Sequence, residues 1–174
     1  NGSGDAFYLS EYARKKQQTA LILDMEICDK EKISTSMIKR LLANGKVEKV
    51  NLLLGRPYSV TGEVFEDRKV GKKIGFPTVN IKLDDSKHRL KDGVYYGMIN
   101  GYKAVINYGA RPTFNLNEKL VEAHLIDFDG DLYGQTLTVN FYGYVRGIEK
   151  FDSVEKLTER LVKDVEYARG RNYD

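Results

Sequence analysis

The chain has 174 residues, with 28 Lys and Arg against 25 Asp and Glu, a formal charge of +3. That length suits one domain, or one domain and part of another. Hydrophobic residues at 41% allow a true core, no apolar run approaches the roughly 18–20 residues that span a bilayer, and the mild charge permits an anionic ligand without requiring nucleic acid. The single cysteine, Cys28, cannot form an internal disulfide, which fits a reducing cytoplasm. One Cys and two His argue against a zinc site. The polar start, Asn1-Gly2-Ser3-Gly4-Asp5, lacks an initiator Met and a signal peptide, and reads as part of something longer.

In chain order, Phe7 to Lys16 has the pattern of a short helix and Ala20 to Met25 that of a short strand. A clearer helix follows. Ser34 or Thr35 can cap it, Met37, Ile38, Leu41 and Leu42 form its apolar stripe, and Gly45 can end it. A second short helix places Val47, Val50, Leu53 and Leu54 on one face before Gly55 and Pro57. From Tyr58 the period becomes two: Tyr58, Val60, Gly62 and Val64 alternate with Ser59, Thr61 and Glu63. Further strand-like runs are Thr78 to Leu83, Gly93 to Asn100, Tyr102 to Tyr108, Leu120 to Phe128 and Thr136 to Tyr144. Asn100-Gly101 and Asp129-Gly130-Asp131 read as hairpin turns. These six strands predict a small antiparallel barrel. The end is helical, with Asp152 and Glu155 at capping-box spacing and Val154, Leu157, Leu161, Val165 and Ala168 as the packing face. The expected boundary falls near Arg56/Pro57.

Three constellations carry chemistry. The first is Gly71-Lys72-Lys73-Ile74-Gly75-Phe76-Pro77-Thr78-Val79-Asn80. Its glycines let a backbone approach a ligand, and its lysines attract negative charge. Pro77 biases Phe76 toward extended geometry. Thr78 and Asn80, two apart on an extended segment, face the same way, and their oxygens suit a hard cation such as Mg²⁺. No G-x-x-x-x-G-K-S/T pattern occurs. By itself the run fits a solvated hairpin tip as well as a phosphate loop.

In the second, Val121-Glu122-Ala123-His124-Leu125, alternation puts Glu122 on one face with Leu120, His124 and Ile126. Glu122 is a candidate base there, or an ordinary outward strand residue. The third is the basic loop Tyr144-Val145-Arg146-Gly147-Ile148-Glu149-Lys150-Phe151-Asp152-Ser153. Arg146 has the reach for a phosphate and Phe151 the surface for an aromatic ligand. Asn107-Tyr108-Gly109-Ala110-Arg111-Pro112-Thr113 reads as a structural turn.

Gly75-Phe76-Pro77-Thr78-Val79-Asn80, Gly93-Val94-Tyr95, the Asn107–Thr113 segment, Val121–Leu125, Asp127-Phe128-Asp129-Gly130-Asp131-Leu132-Tyr133-Gly134 and Lys150-Phe151-Asp152-Ser153 occur in this order. The ordered series, over about Gly55 to Ala168, resembles the riboflavin kinase domain of bifunctional bacterial FAD synthetases. Residues 1–56 resemble the end of the adenylyltransferase half of those enzymes, through Ile33-Ser34-Thr35-Ser36-Met37-Ile38-Lys39. Lys39 stands there where that half usually has Arg, and Lys lacks the bidentate fork. The nucleotide-binding motifs of that half are absent, so FMN adenylyltransferase activity is expected only of a full-length protein. In the arginine loop the family's Arg-x-Glu becomes Arg146-Gly147-Ile148-Glu149, with the Glu one place later.

The resemblance implies a mainly β fold. It is a six-stranded antiparallel Greek-key barrel with a C-terminal helix at residues 57–174, preceded by a mostly helical fragment of an α/β nucleotidyltransferase domain at 1–56. It implies phosphorylation of the terminal ribityl hydroxyl of riboflavin by ATP with Mg²⁺, giving FMN and ADP. In that reading Gly71, Lys72, Lys73 and Gly75 cover the phosphates with Pro77 adjoining. Thr78 and Asn80 hold the metal, Glu122 is the base, Arg146 helps close the site, and Phe151 flanks the flavin. A cytoplasmic enzyme with no membrane or nucleic-acid partner is expected. The alternatives are a non-catalytic flavin- or nucleotide-binding barrel, and a single-strand RNA-binding barrel suggested by the twelve Tyr.

Overall fold

In the computed structural model, the structure describes residues 5–23, 26–28, 31–65, 74–83, 89–110 and 119–173. The chain divides into two compact units, Asn1–Ser34 and Thr35–Asp174. In the first, α1 (Ala6–Lys15) is capped by Asp5, whose carboxylate accepts from the Tyr8 amide at 2.8 Å. Ala20–Leu23 forms no strand, contrary to expectation, and Met25 lies outside the described residues. The strand pairing of this unit comes just afterwards, where β1 (Ile27–Cys28) pairs antiparallel with β2 (Glu31–Lys32).

The second unit begins with α2 (Thr35–Ala43) and α3 (Val47–Leu54). Gly45 at φ +72° ends the first, and Gly55 at φ +63° caps the second. Both helices belong to the barrel's unit. Leu42, Val47 and Val50 are buried in the same cluster as the barrel interior. Asn51 ties α3 down: its Nδ2 donates to the Phe141 carbonyl at 2.8 Å, and its Oδ1 accepts from the Tyr58 amide at 2.7 Å.

Six strands follow: β3 (Tyr58–Phe65), β4 (Val79–Leu83), β5 (Gly93–Ile99), β6 (Tyr102–Ala110), β7 (Lys119–Leu125) and β8 (Thr136–Arg146). They close into a barrel in the order β3-β4-β7-β6-β5-β8, every pair antiparallel. Alternation sorts the two faces as the sequence predicts. Val60, Val64, Ile81, Tyr95, Ile106, Val121, Ala123, Val139 and Phe141 fill the lumen. Two glycines allow the strands to close. A Cβ on Gly62 would lie 2.2 Å from the Lys82 carbonyl, and one on Gly97 2.2 Å from the Asn140 carbonyl.

Asn100 and Gly101, at φ +51° and +84°, make the two-residue hairpin between β5 and β6. The expected hairpin around residue 130 is absent. β7 pairs with β4 and β6, β8 pairs with β3 and β5, and the Asp129–Asp131 segment instead belongs to a crossover between two strands that are not neighbours in the barrel. The strand also stops at Leu125 rather than Phe128, because Asp127 adopts φ +59°.

The last helix, α4 (Val154–Arg169), is capped by Ser153 rather than Asp152. Ser153 has extended backbone, and its hydroxyl accepts from the Lys156 amide at 3.3 Å. Asp152 pairs instead with Lys156 Nζ at 3.2 Å on the surface. Val165 and Ala168 pack α4 onto the outer face of the barrel, against Val94, Val105 and Ile126, while Val154 stays exposed.

Burial holds the phenols of Tyr58 and Tyr173 protonated, with their pKa values pushed up from 10 to about 12. A raised folded-state pKa contributes stability that is full below the unfolded value of 10. That contribution is lost as pH rises through about 12. Alkaline titration followed by circular dichroism is therefore expected to show stability falling across pH 10–12, and a flat profile there would contradict the burial of these phenols.

Candidate active site

Three strands line up the polar centre of the site. Glu122 on β7 pairs in register with Asn80 on β4 and with Asn107 on β6. Cross-strand partners project to the same face, with Cβ atoms about 5 Å apart. Because Val121, Ala123 and Leu125 point into the lumen, Glu122 and His124 point outward. The site therefore lies on the outside of the barrel, between its wall and α4.

The Thr78 hydroxyl donates to Glu122 Oε1 at 3.1 Å. His124 Nδ1 lies 2.9 Å from the Pro77 carbonyl, and its ring meets Phe76 edge-on at 5.4 Å between centroids. His124 thus pins the Phe76-Pro77 segment that delivers Thr78. A cavity of about 250 Å³ opens over this centre. Ile74, Phe76, Val94, Val105, Ile148, Phe151, Leu157 and Leu161 form its apolar walls. Its polar lining is Thr78, Asn107, Glu122, His124, Arg146, Glu149 and Asp164.

On the other side of Thr78 lies a second cavity of about 410 Å³. Pro77, Thr78, Phe128, Asp129, Asp131 and Tyr133 are among its walls. Among the described residues, Thr78 is the one residue common to both cavities.

Arg146 does not reach into open space. Its fork is bidentate on Asp164, with Nε to Oδ2 at 3.0 Å and Nη2 to Oδ2 at 2.7 Å, and its Nη1 donates to the Gly147 carbonyl at 3.1 Å. Glu149 stands 3.8 Å from both Arg146 and Arg160, and Arg160 Nε stands 3.4 Å from Asp164. This cluster ties the arginine loop to α4, with the Arg146 guanidinium 5.9 Å from the Phe151 ring.

The structure thus brings together Thr78, Glu122, Arg146 and Phe151 around one cavity, with Asn80 beside Glu122 in the ladder and only 7% exposed. Pro77 lines the second cavity, and Gly75 sits just before it at φ +82°. Gly71, Lys72 and Lys73 lie outside the described residues.

Two site residues escape the sequence reading. Asn107 lies inside the expected Tyr102–Tyr108 strand but also opens the segment read as a structural turn; β6 runs through it to Ala110, and its outward position opposite Glu122 follows from the alternation of Ile106 and Tyr108 into the core. Asp164 falls among Leu161, Val165 and Ala168 on the packing face of α4. A carboxylate on an apolar stripe signals a buried partner, here Arg146.

Among the described residues no group of three or more His, Cys, Asp or Glu could hold a metal alone. Thr78 lines both cavities and Asn80 neither of them. Two hard oxygen donors would suit Mg²⁺ arriving on phosphates that supply its remaining ligands, and not a resident all-protein metal cage. No helix among the described residues is long and apolar enough to cross a membrane.

The fold and the two adjoining cavities define a Greek-key barrel with a cleft on its outer wall. Residues 54–171 match the family described as flavokinase, riboflavin kinase. The chain is 39% identical over 145 residues to the bifunctional riboflavin kinase/FMN adenylyltransferase of Bacillus subtilis, covering 79% of this chain and 46% of that protein. It is 39% identical over 147 residues to the protein of the same description from Haemophilus influenzae, covering 82% and 47%. A crystal structure described as a macrolide-efflux protein from Streptococcus pneumoniae superposes with a TM-score of 0.86 at 31% identity, covering 97% of this chain and 56% of that one. The chain belongs to the riboflavin kinase family. It spans about half the length of the curated relatives it matches.

Proposed function

We propose that this chain transfers the terminal phosphoryl group of ATP to the 5′-hydroxyl of riboflavin, giving FMN and ADP. One observation carries the reading: Glu122 stands hydrogen-bonded to Thr78, the residue common to both cavities among those described. A base at the junction of two ligand-sized spaces is what a two-substrate transfer needs.

In this reading the flavin ring occupies the apolar cavity between Phe76, Phe151 and the α4 residues Leu157 and Leu161. Its ribityl chain runs toward Glu122. The nucleotide occupies the second cavity, with Gly71, Lys72, Lys73 and Gly75 over its phosphates. Glu122 accepts the proton of the 5′-hydroxyl as that oxygen bonds to the γ-phosphorus. The bond from phosphorus to the β–γ bridging oxygen breaks in line, and ADP leaves with that electron pair. Thr78 and Asn80 would hold Mg²⁺, which neutralises phosphate charge when bound. Arg146 acts as a positioning residue through Asp164, keeping the loop that carries Phe151 against α4.

Residues 1–56 are, in the same reading, the end of an adenylyltransferase half, and residues 57–174 the kinase domain. The α2–α3 pair then serves as a base packed on the kinase barrel. The unpaired Cys28 fits a cytoplasmic setting.

The test is an assay with riboflavin and Mg²⁺-ATP in which FMN and FAD are separated. FMN as sole product supports the proposal. FAD would add an adenylylation step to this chain, and neither product would overturn the kinase reading in favour of a binder. Thr78→Ala is expected to raise the Mg²⁺-ATP KM roughly tenfold, the loss of one charge-assisted contact. A Mg²⁺ titration identical to wild type would remove Thr78 as a ligand.

A further inference from the structure

We infer that Asn107 determines specificity for the acceptor, its side-chain amide reading a secondary hydroxyl of the polyol chain whose terminal hydroxyl Glu122 deprotonates. This rests on the riboflavin kinase reading above.

Elimination singles out Asn107. Among the described residues, seven polar side chains line the apolar cavity, and six are already engaged with protein. Thr78 and Glu122 bond each other, and His124 is held by the Pro77 carbonyl. Arg146, Asp164 and Glu149 pair among themselves. Asn107 makes no side-chain hydrogen bond to protein among the described residues, and it is exposed to the cavity.

Position and chemistry agree. Asn107 is the register partner of Glu122, so its amide stands one strand away from the carboxylate. Successive hydroxyls on a polyol chain are spaced by one carbon. A chain that presents its terminal hydroxyl to Glu122 therefore brings a secondary hydroxyl to the adjoining strand. A hydroxyl both donates and accepts, and so does a carboxamide, whereas a carboxylate or ammonium does only one. Val94 and Val105 complete that patch of wall and offer no competing polar group.

The consequence is discrimination, not merely affinity. The empty site hydrates Asn107. A ring settling between Phe151 and Phe76 strips that water away. An acceptor that lacks the hydroxyl then leaves a desolvated amide unpaired, which costs more than a lost contact.

The experiment compares riboflavin with a flavin carrying a 5-hydroxypentyl chain at N10, which keeps the terminal hydroxyl and lacks the secondary ones. Wild type, Asn107→Ala and Asn107→Leu are measured by quenching of flavin fluorescence and by kcat/KM for phosphorylation. Both variants are expected to shrink the preference for riboflavin roughly tenfold, the effect of one hydrogen bond. Their rates with the hydroxypentyl flavin should stay near wild type, and their melting temperatures unchanged. An unchanged preference ratio overturns the inference, as does an equal loss with both flavins. A wild-type protein that binds riboflavin without phosphorylating it overturns the kinase reading, while the fluorescence ratio still decides the role of Asn107. Failure of wild type to bind either flavin overturns both.

Discussion

Replacing Glu122 by Gln is expected to lower kcat for FMN formation roughly 10²–10⁴-fold, the span seen when a positioned general base is lost. Gln keeps the length of the side chain and an oxygen that can still accept from the Thr78 hydroxyl. It also keeps the ladder position between Asn80 and Asn107. What it lacks is a site for the proton of the attacking hydroxyl. The loss should therefore fall on turnover, with nucleotide affinity within about twofold of wild type. Single-turnover FMN formation alongside a nucleotide binding titration separates the two. Turnover within a few-fold of wild type would remove Glu122 from the chemistry.

The second large effect is on stability. Asp164→Asn is expected to cost about 3 kcal/mol, because it leaves a buried cation without its counter-charge. The Arg146 side chain is 10% exposed and Asp164 only 2%. With the carboxylate gone, Arg146 retains the Gly147 carbonyl and Glu149 at 3.8 Å. At this chain length the melting temperature should fall by roughly 6–12 °C. If the proposed placement of the substrates holds, the riboflavin KM should rise more than the ATP KM, because the broken tie joins two walls of the first cavity and none of the second one. Asp152→Asn is the matched control. Its pair with Lys156 is exposed, at 89% and 64%, and solvent screening should leave the melting temperature unmoved. A melting curve for Asp164→Asn that overlays that of the control would mean that the cluster is not holding α4.

Local patterns carried most of the fold. Period-two alternation located the first barrel strand and strand-like runs rich in Tyr, Val and Ile the other five, and the Asn100-Gly101 turn fixed one pairing, because these are properties of a few adjacent residues. The Asp129-Gly130-Asp131 turn misled for the converse reason. A Gly flanked by Asp marks a change of direction, but not which strand comes next, and long-range pairing decided that β8 joins β3 and β5. The cap of α4 moved by one residue because Ser153, not Asp152, has the extended backbone that aims a side-chain oxygen back at the helix amides. In the site, Thr78 and Glu122 were legible as chemical types at plausible positions. Their contact, 44 residues apart, was not. Arg146 was legible as a cation near a candidate site, while its commitment to Asp164 depends on how α4 packs on the barrel wall. Asn107 was hidden because it opens the Asn107–Thr113 segment, which looks like a turn; alternation gives the way it faces, and only the partner strand reveals that it stands opposite Glu122.

The placement of Glu122 on the outer face of a closed barrel has a consequence for quality control. The side chains on either side of it, Val121 and Ala123, are fully buried. A slip of β7 by one residue would turn Glu122 into the lumen and push both of those residues into water. The misaligned site and the misfolded core are therefore the same molecule. No population should exist that is folded yet catalytically out of register. In a preparation damaged by heat or mutation, the active fraction should track the folded fraction, with the surviving molecules working at full rate.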